Sequence, residues 1–313
     1  MDMNQSPIIE TNRLKRTFKS ATAVDELTLS IAPGELFGLV GPDGAGKTTT
    51  LRLLAGLLDV TEGEATVLGL DLQSQAEAIK PHVGYMAQQF SLYGELSVLE
   101  NLQFFAELFD VSKQEQGERT ERLLEFAGLT EFTERRAAKL SGGMQKKLAL
   151  ACTLIHQPEI LLLDEPTTGV DPVSRREFWN ILTELHVQGT TIIVSTPYMD
   201  EADRCSMVGL MYAGKLVECD TPQNIRGRLN EDVIEVQAED WQAALKTVAG
   251  LEGVREAQTY GETVNLLVDD GKKRLHEVER ALKKSDIKYK NVRIAPVRME
   301  EAFISLIRKM EAE

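Results

Sequence analysis

Residues 36–48 read LFGLVGPDGAGKT, and this stretch decides the fold. Its first five residues are continuously apolar, which predicts a strand buried on both faces. The next eight match G-x-x-x-x-G-K-[ST], and the helix-like TTTLRLLAGLL follows at once. In this strand-loop-helix frame, glycines let backbone N–H groups wrap a phosphate at a helix N-terminus, where the macrodipole favours negative charge. Gly41, Asp43, Gly44, Ala45, Gly46 and Thr49 would form the cradle. Lys47 would reach the β- and γ-phosphates of a bound nucleotide, and the Thr48 hydroxyl would hold Mg²⁺.

Outward from this motif, short apolar runs recur at 160–163, 191–195 and 207–211, separated by helix-like segments. That alternation predicts an α/β core with a largely parallel sheet. The segment from about 90 to 158 lacks such runs and reads as a helical insertion. Beyond about residue 229 the order becomes strand, helix, strand, strand, helix, strand, followed by an amphipathic helix at MEEAFISLIRKM. This predicts a small α+β ferredoxin-like domain over 229–313, with Tyr260-Gly261 turning its central hairpin.

The 313 residues carry 35 basic and 49 acidic side chains, a net charge of −14, which argues against a nucleic-acid or anionic-lipid partner. Three cysteines, Cys152, Cys205 and Cys219, show no zinc-site spacing and fit a reducing compartment. No stretch approaches the roughly 20 apolar residues that span a bilayer, so no membrane span is expected.

A second candidate site lies at Asp164-Glu165-Pro166, at the end of the apolar run ILLL. A carboxylate there, beside the phosphate-loop strand, suits Mg²⁺, and its neighbour can orient an attacking water. Asp164 is the metal candidate and Glu165 the catalytic base candidate. LSGGMQKK at 140–147 is the third motif in order. Together the three resemble the ATP-binding subunits of ABC transporters over about residues 8–225, with LSGGM pointing to the drug-resistance and polysaccharide-export branch.

The resemblance implies a P-loop NTPase core over 1–228 that binds ATP and Mg²⁺ and hydrolyses ATP. It implies that Ser141, Gly142 and Gly143 contact nucleotide held by the other subunit of a dimer. It also implies that Gln88, in VGYMAQQ, senses Mg²⁺ and the transmembrane partner, that Phe18 stacks on adenine, and that Asp171 crosses the dimer interface. At 195–202, STPYMDEA, Pro197 stands where the pattern has a histidine, which removes one donor to the γ-phosphate. Ser195 or Thr196 is the substitute donor the sequence offers. The charge pairs Lys146-Lys147 and Arg175-Arg176 read as exposed helix faces.

The expected function is that of a cytoplasmic ATPase subunit, peripheral on the cell membrane, that powers an exporter through a separate transmembrane permease. A homodimer is favoured over a heterodimer with a paralogue. The alternatives are a soluble ABC ATPase and a nucleotide-binding module with a slow, degenerate site. The transported substrate is not encoded in these motifs.

Overall fold

Each of the four apolar runs forms a strand in the computed structural model, which describes residues 6–89, 92–229 and 231–312. The chain divides into two units, Met1–Thr221 and Pro222–Glu313. The first runs β1 (Ile9–Phe18), β2 (Ala21–Ile31), β3 (Leu36–Val40), α1 (Lys47–Leu54), β4 (Glu62–Val67), β5 (Leu70–Asp71), α2 (Ala76–Ile79), β6 (Val83–Met86), α3 (Val98–Leu108), α4 (Lys113–Ala127), α5 (Gly142–Leu154), β7 (Ile160–Asp164), α6 (Pro172–Val187), β8 (Thr191–Thr196), α7 (Met199–Ala202), β9 (Met207–Tyr212) and β10 (Lys215–Asp220).

Its main sheet has the order β10-β9-β3-β8-β7-β6, parallel except at the β10 edge. Every residue of β3, β7 and β8 is buried, as expected of strands covered on both faces. Strand β8 lies between β3 and β7. The acidic strand is therefore not the immediate neighbour of the phosphate-loop strand, as its sequence had suggested, and β8 contributes its own end to the site.

A second, antiparallel sheet, β2-β1-β4-β5, has no counterpart in the sequence reading. One face is apolar, with Val24, Leu27, Leu29 and Ile31 buried together with Leu51, Leu53 and Leu54 of α1. Helix α1 is thus buried against this sheet's apolar face, and Phe37 and Leu39 of β3, the strand that leads into the loop before it, share the same core.

The helical insertion has its own core, in which Val98, Leu102 and Ala106 of α3 meet Leu123 and Leu124 of α4 and Leu148 and Ala151 of α5. Ser97 and Glu100 form a reciprocal capping box at the start of α3. Buried Asn101 pins the preceding segment by bonding Tyr93, Leu96 and Ser97 backbone groups.

The second unit contains α8 (Pro222–Gly227), β11 (Asp232–Ala238), α9 (Trp241–Val248), β12 (Val254–Tyr260), β13 (Thr263–Val268), α10 (Gly271–Lys284), β14 (Tyr289–Ala295) and α11 (Met299–Ala312). The sheet order β12-β13-β11-β14, antiparallel throughout, is ferredoxin-like. The hairpin turns at Gly261-Glu262, because Tyr260 is itself paired with Thr263 and Gly261 takes the positive φ of 61°.

Candidate active site

Strand β3 ends at Val40, and the Gly41 N–H donates to the Thr196 carbonyl at the end of β8. A Cβ at Gly41 would lie 2.2 Å from the Met211 carbonyl oxygen, so only glycine lets the loop leave the sheet here. Gly46 has φ 103° and opens directly into α1. No acidic residue and no side-chain cap occupies the first turn of α1, which leaves its N–H donors to a ligand. The residues from Asp43 to Thr49, with Ala23, Gln88 and Glu165, line one open pocket of about 450 Å³.

Lys47 is 3% exposed and folds over its own loop, donating to the Gly41 and Pro42 carbonyls at 2.8 and 2.9 Å. Its Nζ is also 3.3 Å from Glu165 Oε1. The second Glu165 oxygen accepts from Gln88 Nε2 at 2.7 Å and from Thr168 Oγ1 at 3.3 Å. The Glu165 backbone has φ 46°, a left-handed conformation, and its N–H donates to Ser195 Oγ at 3.0 Å. The carboxylate is therefore aimed at the pocket by a fixed backbone and three side-chain partners.

Asp164 is fully buried. Oδ1 accepts from Thr48 Oγ1 at 2.9 Å and Ser195 Oγ at 2.8 Å, and Oδ2 accepts from the Tyr85 hydroxyl at 3.3 Å. Burial pushes the Tyr85 phenol above its usual range, so it stays a donor. These contacts are hydroxyls, and among the described residues no lysine or arginine forms an ion pair with Asp164. The Thr48 hydroxyl and Gln88 amide on the pocket wall, with the buried Asp164 carboxylate bonded to Thr48, offer the all-oxygen donor set that Mg²⁺ takes.

Position 197 sits in a segment held from behind. Buried Glu201 accepts from Thr196 Oγ1, Thr167 Oγ1, Trp179 Nε1 and Arg175 Nε at 2.5, 2.8, 2.9 and 2.6 Å. Arg175 also bonds both Asp200 oxygens, and its guanidinium lies 4.4 Å over the Tyr198 ring. The Ser195 hydroxyl is given to Asp164 and the Thr196 hydroxyl to Glu201, so neither replaces a histidine donor at 197.

Other sequence-selected residues lie apart from the pocket lining. Ser141 caps α5, accepting from the Met144 N–H, with Gly142 and Gly143 in the first turn. A Cβ at Gly143 would come within 2.5 Å of Ser174. Asp171 caps α6 through the Val173 and Ser174 N–H groups, and the Ser174 hydroxyl first, with these N–H groups, holds its carboxyl below the usual range. Phe18 is 41% exposed, with the Arg16 guanidinium 4.6 Å over its ring.

Sequence reasoning missed Tyr85, Thr168, Ser195 as an Asp164 partner, Glu201 and Lys146. Lys146 and Arg175 are not simple exposed charges. Lys146 Nζ donates to the Gln88 carbonyl at 2.6 Å, and burial lowers its pKa against the opposing pull of Asp164 and Glu165. Lys147 pairs instead with Glu177 on α6. No signal along the chain separates these adjacent lysines, because the faces they meet belong to distant segments.

An ABC transporter family profile matches residues 24–168. The probable multidrug ABC transporter ATP-binding protein YbhF of Escherichia coli (strain K12) is 43% identical over 225 residues, covering 72% of this chain and 39% of that protein. This chain thus spans about two fifths of that relative's length. The Nod factor export ATP-binding protein I of Paraburkholderia xenovorans (strain LB400) is 35% identical over 300 residues, 95% of this chain and 96% of that protein. Among solved structures, the ATP-binding cassette MJ0796, dimeric in a post-hydrolysis state bound to ADP and Pi, aligns with TM-score 0.63 at 26% identity. It covers 68% of this chain and 98% of that one. With three ordered motifs converging on one phosphate-loop fold, this chain belongs to the ABC transporter family as one of its ATP-binding proteins.

Proposed function

We propose that this chain is the ATP-hydrolysing subunit of an ABC exporter, acting on a separate transmembrane permease at the cytoplasmic face of the membrane. The observation that carries the reading is the convergence of Lys47, Thr48, Gln88 and Glu165 at one pocket over the N-terminus of α1, with buried Asp164 bonded to Thr48 behind it. Lys47 moves from the Gly41 and Pro42 carbonyls to the β- and γ-phosphates of ATP, and the first-turn N–H groups bind phosphate oxygens. Glu165 accepts the proton of the attacking water. Phe18, exposed at the end of β1, offers a face for adenine.

Bound with the nucleotide, Mg²⁺ neutralises charge on the β- and γ-phosphates. Thr48 and Asp164, with Gln88 beside them, are the residues that would hold it. The permease assignment is supported by the transporter names of the relatives. Among the described residues, no helix is long and apolar enough to cross a membrane.

The test is Mg·ATP hydrolysis by the purified chain. Glu165→Gln lowers kcat by about 10²–10⁴-fold while ATP still binds, because the amide keeps the shape and loses the proton acceptor. Lys47→Ala weakens ATP binding itself. Wild-type turnover in Glu165→Gln would refute the base assignment. Co-purification of a membrane protein with that variant in ATP identifies the permease, and its consistent absence would leave a soluble ATPase instead.

A further inference from the structure

The Lys146 ammonium reaches the backbone carbonyl of Gln88 at 2.6 Å, and the side chain of Gln88 reaches Glu165 at 2.7 Å. Lys146 lies in α5, the helix that Ser141 caps. One side chain therefore links that helix to the segment that orients the carboxylate. Of the three groups on the Glu165 carboxylate, Lys47 is the one that ATP recruits away, and of the two that remain Thr168 is the more distant, at 3.3 Å against 2.7 Å for Gln88. Once nucleotide is bound, the orientation of Glu165 rests on Gln88, and the placement of Gln88 rests on what holds its backbone.

We propose that Lys146 is a positioning residue for hydrolysis, which by gripping the Gln88 carbonyl keeps the Gln88 amide on Glu165 and ties the aim of the base to helix α5. This rests on the reading of Glu165 as the base. A charge-assisted hydrogen bond to a carbonyl of an irregular segment is the kind of contact whose loss frees that segment. Methionine at 146 keeps most of the length and removes the donor, whereas arginine keeps a donor.

The experiment uses the full chain with Lys146→Met, Lys146→Arg and Glu165→Gln, the two Lys146 changes also in a Gln88→Ala background. Lys146→Met is expected to lower kcat roughly ten-fold and to leave KM for ATP within about two-fold. Hydrogen exchange of nucleotide-free protein should quicken at the Met86 to Gln89 amides. Lys146→Arg should restore both. In Gln88→Ala, where the link to Glu165 is already cut, Lys146→Met should change kcat no further.

An equal loss of kcat in the Gln88→Ala background would overturn the proposal, since Lys146 would then act by another route. Unchanged exchange and kcat in Lys146→Met would do the same. If Glu165→Gln kept wild-type turnover while Lys146→Met still quickened exchange, the base assignment would fail and the catalytic part of this proposal with it. The contact itself would stand.

Discussion

Proline 197 is followed by a tight local arrangement in which the Tyr198 N–H donates to Thr196 Oγ1, and that same hydroxyl donates to Glu201. The segment is thus built, rather than collapsed, around a residue with neither a side-chain donor nor a backbone N–H. With Ser195 given to Asp164, no side chain from 195 to 197 is free to meet a γ-phosphate. A histidine introduced at 197 would inherit this backbone and add one charge-assisted hydrogen bond. Such a bond is worth about 1.5–3 kcal/mol, so Pro197→His should raise kcat by roughly ten- to a hundred-and-fifty-fold if the bond acts only in the transition state. Steady-state hydrolysis of Mg·ATP measures it. An unchanged kcat would mean that another step, or a donor outside this segment, sets the rate. The missing histidine was legible in the sequence, but the commitment of Ser195 and Thr196 was not. Their partners, Asp164 and Glu201, are fixed by the insertion of β8 beside β7 and by the packing of α6, which no local pattern encodes.

Elements buried on both faces, β3, β7, β8 and β9, announce themselves as apolar runs, and the phosphate loop is placed by its own motif. The β2-β1-β4-β5 sheet was not legible because its period of two is broken by register shifts between Thr11 and Leu14 and by Arg13 and Glu26 at positive φ. Each irregularity moves the apolar residues to a new phase. The end of α5 carries a further feature of this kind. His156 stacks on Phe109 with centroids 3.8 Å apart and planes 9° from parallel, and among the described residues neither ring nitrogen has a hydrogen-bond partner. Burial lowers its pKa from 6.5 to about 4, and Arg119 adds to the effect; the nearby Val83 backbone opposes it without completing a hydrogen bond. The folded state therefore binds fewer protons here than the unfolded state between those values. The resulting stability is fully present above pH 6.5 and is lost as pH falls from 6.5 through about 4. His156→Phe, which keeps the stack and removes the proton site, should flatten that part of the pH dependence of Tm. An identical slope in wild type and variant would show that His156 is not the titrating group.

At the scale of the molecule, the pocket of one chain is lined by Lys47, Thr48 and Glu165 but not by the signature residues Ser141, Gly142 and Gly143. An anion-accepting helix start with no part in its own chain's pocket fits a dimer in which each site takes its loop from one subunit and its signature from the other. The arrangement yields a test that does not depend on seeing the dimer. Lys47→Ala removes the loop function of a chain and leaves its signature intact; Ser141→Arg fills the signature and leaves the loop intact. Alone, each variant forms homodimers in which both sites are broken, and neither should hydrolyse ATP at an appreciable rate. When the two are mixed, a heterodimer places the intact loop of the Ser141→Arg chain against the intact signature of the Lys47→Ala chain. The other site of that dimer carries both defects. Random pairing makes half of the dimers mixed, each with one complete site of two, so activity should return to roughly a quarter of the wild-type value per chain if the sites work independently. Recovery should track subunit exchange and fail when the variants are combined on one chain. If the mixture stays as inactive as its components after exchange is complete, either the sites are not shared between subunits or one complete site cannot turn over alone. Wild-type chain diluted with the double variant separates the two: in shared-site mixed dimers one site lacks a signature and the other a loop, so they are inactive, whereas if each chain completes its own site the wild-type chain in them stays active.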